Sequence, residues 1–223
     1  MKLSLLSKSC FMLNPILRRH KKIASFAEGK ILDIGYADHP NRFLKGDVTG
    51  LDLIKPKETP ENYQKLVVGD ALNVGDLFKT KSFDTVAASE VIEHLENPTQ
   101  FLKGIRKILK DTGTLIFSTP NPYHLPTLIM NVLFIRPEFT AHEAHDPYHI
   151  NLFPYRNMVT LLEHCDFSLV KVMNASGLVL NMALGPVIPF PKPFSQNFIY
   201  IAKKNLGDDE EFLRTGKIKK RKK

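Results

Sequence analysis

The chain has 223 residues, 43% of them hydrophobic and 9% aromatic, with a formal net charge of +8. That length and composition bury a full core in one domain of ordinary size and exclude a low-complexity or collagen-like chain. Lys217, Lys219, Lys220, Arg221, Lys222 and Lys223 supply six of the eight charges, so the body carries only +2 and does not read as a nucleic-acid-binding surface.

The amino end carries Lys2 and a leucine-rich run, but Lys8 interrupts it and no small-residue cleavage site follows, which speaks against a secretory signal. Leu13, Ile16 and Leu17, followed by the cluster Arg18-Arg19-His20-Lys21-Lys22, predict an amphipathic helix within 10–27. Two uses stand open for it: packing on the domain edge with a solvated basic end, or covering a site or membrane surface. No apolar stretch reaches the roughly 18 residues of a membrane span. Cys10 and Cys165 offer no disulfide framework and no zinc spacing, so the expected location is cytoplasmic.

The first strand is Ile31-Leu32-Asp33-Ile34, an apolar run that ends in an acid and turns at Gly35. A second, 48–53, ends in Asp52-Leu53, 19 residues beyond Asp33 and close to the ~20 typical of ribose-binding acids in nucleotide folds. Turn-forming aspartates at the strand ends of any α/β domain would look the same when taken singly. A third strand, 65–69, runs into Asp70-Ala71, and a fourth, 83–88, into Ser89-Glu90. A helix follows with Asn97 as cap, Pro98 in its first turn and Gln100 at a capping-box position; it buries Phe101, Ile105, Ile108 and Leu109 and ends at a turn made by Asp111-Thr112-Gly113. Strands at 114–119, 167–175 and 196–203 and a helix from Tyr155 to His164 complete the pattern. The stretch 177–195, apolar and rich in proline, predicts a loop that faces substrate, packs on the core or meets a second copy.

The run Phe83-Asp84-Thr85-Val86, Ser89-Glu90-Val91-Ile92-Glu93-His94-Leu95 and Thr114-Leu115-Ile116-Phe117-Ser118-Thr119-Pro120-Asn121 resembles the class I S-adenosylmethionine-dependent methyltransferases, most of all the branch that includes quinone-biosynthesis and glycan methyltransferases. The resemblance covers about 28–203. It implies an α/β fold with a Rossmann-like seven-stranded sheet, helices on both faces and an antiparallel last strand. It divides the chain into an N-terminal helical segment, 1–27, a methyltransferase domain, 28–205, with insertions near 121–153 and 177–195, and a disordered charged tail, 206–223.

The implied cofactor is S-adenosyl-L-methionine, whose ribose hydroxyls, adenine amino edge and sulfonium call for acceptors and anions, not for a phosphate cradle. Carried over residue by residue, Asp33, Gly35 and Ala37 belong to the first loop, Asp52 accepts from the ribose hydroxyls with Leu53 a further cofactor-binding residue beside it, Asp70 meets the adenine amino group with Ala71 against the ring, and Ser89 with Glu90 closes the site. His94 is expected to be structural. One departure stands out, because the family loop is acid-x-Gly-x-Gly-x-Gly and here two of the three glycines are missing. Ala37 is compatible with a negative φ, and Asp38 can cap a helix that begins near Pro40. The same loop argues against a nicotinamide enzyme, whose pyrophosphate needs a glycine-rich turn.

The acceptor side is expected from 140–153, where His149 best matches a site residue and His145 is the second candidate catalytic group, with His142 and Asp146 as neighbours. Catechol-type methyltransferases chelate Mg²⁺, but histidine is not its preferred ligand and no spacing here is compelling, so no metal is expected. The function so implied is O-methylation of a small-molecule, glycan or lipid-linked hydroxyl. Carboxyl or nitrogen methylation, and a non-catalytic methyltransferase-like scaffold, remain open, and the basic tail offers a peripheral membrane contact.

Overall fold

A computed structural model describes residues 14–56, 58–124, 129, 149–175 and 195–207. The extreme amino end, nearly all of the 177–195 loop, the charged tail, and His142, His145 and Asp146 lie outside these residues.

Seven strands form one sheet: β1 (Lys30–Ile34), β2 (Asp47–Asp52), β3 (Lys65–Val68), β4 (Phe83–Ser89), β5 (Leu109–Pro120), β6 (Phe167–Asn174) and β7 (Asn197–Lys204). Their order is β3-β2-β1-β4-β5-β7-β6. The first five are parallel, and β7 runs antiparallel between β5 and β6. The chain winds outward in opposite directions from β1 and β4, so a crevice opens at the carboxyl ends of these two strands. The methyltransferase-type sheet expected from sequence is the sheet observed.

One face carries the large cluster. Leu32, Ile34, Leu51, Val86, Phe117 and Tyr200 pack there with Phe101, Leu102 and Ile105 of α3 (Pro98–Ile108), and with Met158 and Leu162 of α4 (Tyr155–His164). Against the opposite face lies α1 (Pro15–Ala24), with Ile23 packed on Ala87, Ile116 and Ile199. Ile31, Tyr36, Leu44, Val48 and Tyr63 form a third cluster beside it. Asn14 caps α1 by accepting from the N–H groups of Ile16 and Leu17, ahead of Pro15. The short α2 (Val74–Leu77) follows β3.

Three expectations are corrected. Leu109 is not the end of α3 but the first residue of β5, pairing with Phe83, and the presumed turn 111–113 is an irregularity inside that strand, where Phe83↔Leu109 gives way to Thr85↔Thr114. The extended Leu109 backbone and a Gly113 pressed on Lys110 O and Asp84 O accommodate the extra residues without a break. Gln100 does not complete a capping box: Asn97 accepts from its N–H, but its side-chain amide donates to Leu72 O. No helix follows β1, so Asp38 caps nothing; 35–46 cross to β2 as irregular chain. Among the described residues no helix is long and apolar enough to cross a membrane.

Candidate active site

At the end of β1, Gly35 has φ +78°, and a Cβ there would lie 2.5 Å from Val91 Cγ2. Only glycine makes that turn at that distance. Tyr36 then turns inward and is buried, its ring over Gly50, where a Cβ would meet Cε1 at 2.6 Å, and 5.2 Å from the Tyr63 ring. The large residue thus fills space beneath a loop that has lost two glycines. Ala37 does not have positive φ, and its N–H donates to Asp52 Oδ2 at 2.8 Å. The altered loop is therefore tied to the strand-end acid beside it.

Asp33 is buried, accepts a hydrogen bond from the Tyr63 hydroxyl, and that hydroxyl in turn accepts from Asn41 N–H at 3.0 Å. Burial pushes its carboxyl up to about 7, against the lowering effect of the Tyr63 bond. Asp52 Oδ1 also takes the Ile54 N–H, which leaves further lone pairs on both oxygens. Leu53 is 68% exposed at the same edge. Asp70 accepts from Leu72 N–H and so opens the next turn, with Ala71 half-buried against the core.

From the other side, Ser89 ends β4 and Glu90 follows it. Arg19 of α1 reaches both: its Nε donates to Ser89 Oγ at 3.0 Å, and its Nη1 stands 3.7 Å from Glu90 Oε2. The helix therefore covers the site. His20 beside it is buried and pushed down to about 4, by burial first and then by the charges of Arg19 and His39.

His149 is held in place by a clamp. Asn151 N–H donates to Glu93 O at 3.0 Å, and Asn151 Nδ2 donates to Leu95 O at 2.6 Å. These bonds hold His149 against His94, ring centroids 4.5 Å apart. Glu93, fully buried, His94 and His149 each bring one potential ligand atom to within 4.8 Å of the others, a spacing at which a cation could sit between them. Spacing along the chain gives no sign of this set.

One cavity of about 350 Å³ joins these parts, lined by Asp33, Gly35, Ser89 and Glu90, by Arg19 and His20 from α1, by Asp38, His39 and Asn41 from the crossover, and by His94 and His149. Asp52, Leu53, Asp70 and Ala71 do not line it; they stand at the ends of β2 and β3 alongside. Arg19, Asn41 and Tyr63 were not expected as site residues. The basic cluster was a signal for Arg19; Tyr63 and Asn41 gave none, because their partners are distant in sequence.

A family profile described as a methyltransferase domain matches residues 10–172. The ubiquinone biosynthesis O-methyltransferase of Glaesserella parasuis serovar 5 is 29% identical over 131 residues, covering 51% of this chain and 56% of that protein. The chain spans about half the length of most curated relatives it matches. A SAM-dependent methyltransferase of Thermotoga maritima superposes with a TM-score of 0.64 at 17% identity, over 90% of this chain and 96% of that one. The 1,6-didemethyltoxoflavin-N1-methyltransferase of Burkholderia thailandensis, solved with 1,6-didemethyltoxoflavin and S-adenosylhomocysteine, gives 0.58 at 15% identity, over 89% and 81%. At such identities the solved structures speak to the fold.

Proposed function

The chain belongs to the class I S-adenosylmethionine-dependent methyltransferases, and from that premise we propose that it methylates a hydroxyl oxygen of a small-molecule, glycan or lipid-linked acceptor. One observation carries the reading: Gly35, Asp33, Glu90, Arg19 and His149, drawn from four separate parts of the chain, face a single cavity at the β1/β4 crevice. The residues fit the cofactor, since acids stand at three adjacent strand ends and one guanidinium faces the wall.

When bound, S-adenosylmethionine supplies an electrophilic methyl group on a sulfonium sulfur. Asp52 would accept from the ribose hydroxyls, Asp70 from the adenine amino group, and Leu53 and Ala71 would flank the ring. The tight backbone at Gly35 would admit the methionine part, and Arg19 would pair with its carboxylate. An imidazole nitrogen of His149 takes the acceptor's hydroxyl proton as the methyl group arrives, a role suited to a side chain poised near neutral pH. Much of the acceleration comes from holding acceptor and donor in line.

His149→Ala tests the acceptor half: turnover falls about 10² to 10⁴-fold while cofactor affinity is kept. Near-normal turnover sinks the assignment, and a selective loss in His145→Ala transfers it. Cofactor binding with no acceptor methylated favours the scaffold reading. We take 28–205 as the catalytic domain and the six cations of 217–223 as a tether to anionic membrane at about 1 kcal/mol per charge; equal vesicle binding by a chain lacking 217–223 removes the tether.

A further inference from the structure

Tyr63 lies on the connection from β2 to β3, yet its hydroxyl reaches across to the end of β1. It donates to Asp33 Oδ2 and accepts the Asn41 N–H at 3.0 Å. A tyrosine hydroxyl has a single proton, and since the Asn41 N–H can only donate, that proton goes to the carboxyl. Burial, and after it the Asp33 charge, hold the Tyr63 hydroxyl well above the usual tyrosine range, so it stays a donor.

Asn41 is itself fixed. Its Oδ1 accepts from Phe43 N–H, its Nδ2 donates to His20 O of α1, and its O accepts from Asn62 Nδ2, each at 3.1 Å. The Tyr63 ring is set by that of Tyr36. Parts of the chain distant in sequence are thus tied to one oxygen of one buried carboxylate. Asp33 lines the cavity with its Oδ2 taken, so Oδ1 is the oxygen left for a ligand.

The surroundings decide which form of Asp33 a ligand meets. Burial raises its carboxyl to about 7 and the charge of Asp52 adds to the rise, while the Tyr63 hydroxyl and the Asn41 N–H work against both. Tyr36 stands beside the two acids. Arg19 and His20 line the same cavity from α1, and Asp38 and His39 from the crossover. Glu90, His94 and His149 complete its charged and titratable wall. All of these remain when the Tyr63 hydroxyl alone is removed, so their contribution is common to the proteins compared. Below pH 7 Asp33 is largely protonated, and a cation placed on Oδ1 expels that proton.

We propose that Tyr63 is a positioning residue for the methyl donor: by holding Asp33 at Oδ2 it presents Oδ1 to the ammonium of the donor's methionine part. The proposal rests on the cavity being the S-adenosylmethionine site. Asp33 touches the ligand, and Tyr63 acts through Asp33.

Calorimetric titration of the full chain with S-adenosylhomocysteine, and with 5′-methylthioadenosine, which lacks the amino-acid part, tests this. Tyr63→Phe keeps the ring and loses the hydroxyl, so it weakens S-adenosylhomocysteine binding by about tenfold at pH 6, where Asp33 must be stripped of its proton, and by no more than about twofold at pH 8.5. Binding of 5′-methylthioadenosine does not change. In an Asp33→Asn background Tyr63→Phe has no further effect. A loss that is the same at both pH values, that extends to 5′-methylthioadenosine, or that persists beside Asp33→Asn marks a merely structural role and overturns the proposal, while leaving the cofactor reading intact. Titrations in buffers of different ionisation heat count protons: the wild type releases most of one proton on binding S-adenosylhomocysteine at pH 6, and Asp33→Asn does not. Equal counts overturn the proposal even if Tyr63→Phe does not fold. A wild-type protein that binds neither ligand overturns the cofactor reading as well.

Discussion

The two faces of the sheet are built for different ends. Under α3 and α4 the contacts are almost wholly apolar, from Leu32 and Val86 at the centre to Phe101 and Met158 on the helices. Under α1 the apolar residues split into two smaller clusters, and buried polar groups gather on that side: Asp33, Asn41, Arg19 and His20, with the Tyr63 hydroxyl. Asp33 and Leu32 are neighbours on one strand yet serve opposite faces, because side chains alternate along it. The apolar face supplies stability, and the polar face accepts buried charge in exchange for a binding site.

The largest expected effect lies on the apolar face. Phe101→Ala removes a fully buried ring and should cost about 3–5 kcal/mol of stability. Urea unfolding measures that loss, and S-adenosylhomocysteine affinity of the folded variant should not change. A loss of affinity comparable to that of a site substitution would break the division between the faces.

On the polar face the expected effect depends on pH. Asp33 has a folded-state value of about 7 against an ordinary 3.8, so its folded form holds its proton more tightly. Its contribution to stability is complete below about pH 4 and is lost as pH rises to about 7, by an amount on the order of a few kcal/mol. His20, lowered from 6.5 to about 4, acts in the opposite sense: its contribution is complete above pH 6.5 and is lost as pH falls through 4. The two slopes offset each other between pH 4 and 6.5. Asp33→Asn removes one of them, so its unfolding free energy should rise with pH across that window more steeply than the wild type's. Parallel curves for the two proteins would contradict the assigned burial of Asp33.

The same contrast explains what could be read from the sequence. Strands such as Ile31-Leu32-Asp33-Ile34 announce themselves, because a fully buried parallel strand is a short apolar run and its terminal acid marks the ligand edge. β5 starts five residues before the strand that the sequence predicts, because Asp111-Thr112-Gly113 has turn chemistry while pairing with β4 holds those residues in the strand. The helix expected after Asp38 is absent because Tyr36, Asn41 and Leu44 pack inward as an irregular crossover instead. Asp33, Gly35, Ser89 and Glu90, which the resemblance implies as cofactor-binding residues, line the cavity together. Tyr63 bonding Asp33 across 30 residues, and Arg19 bonding Ser89 across 70, were not legible, since contacts at such separation leave no local pattern. Asn151, which sets His149 against His94, belongs to the same class.

The central claim is that the strand ends at the β1/β4 crevice and beside it hold S-adenosylmethionine, and Asp52 is its most direct probe because it ends β2 beside the cavity and does not line it. Calorimetric titration of S-adenosylhomocysteine into the wild-type and Asp52→Ala proteins measures it. The wild type should bind, and the variant should bind more weakly by roughly 1.5–3 kcal/mol, the worth of hydrogen bonds to a charged acceptor, with NAD giving no heat in either. Equal affinity of the two proteins for S-adenosylhomocysteine, or binding of NAD in its place, would contradict the account.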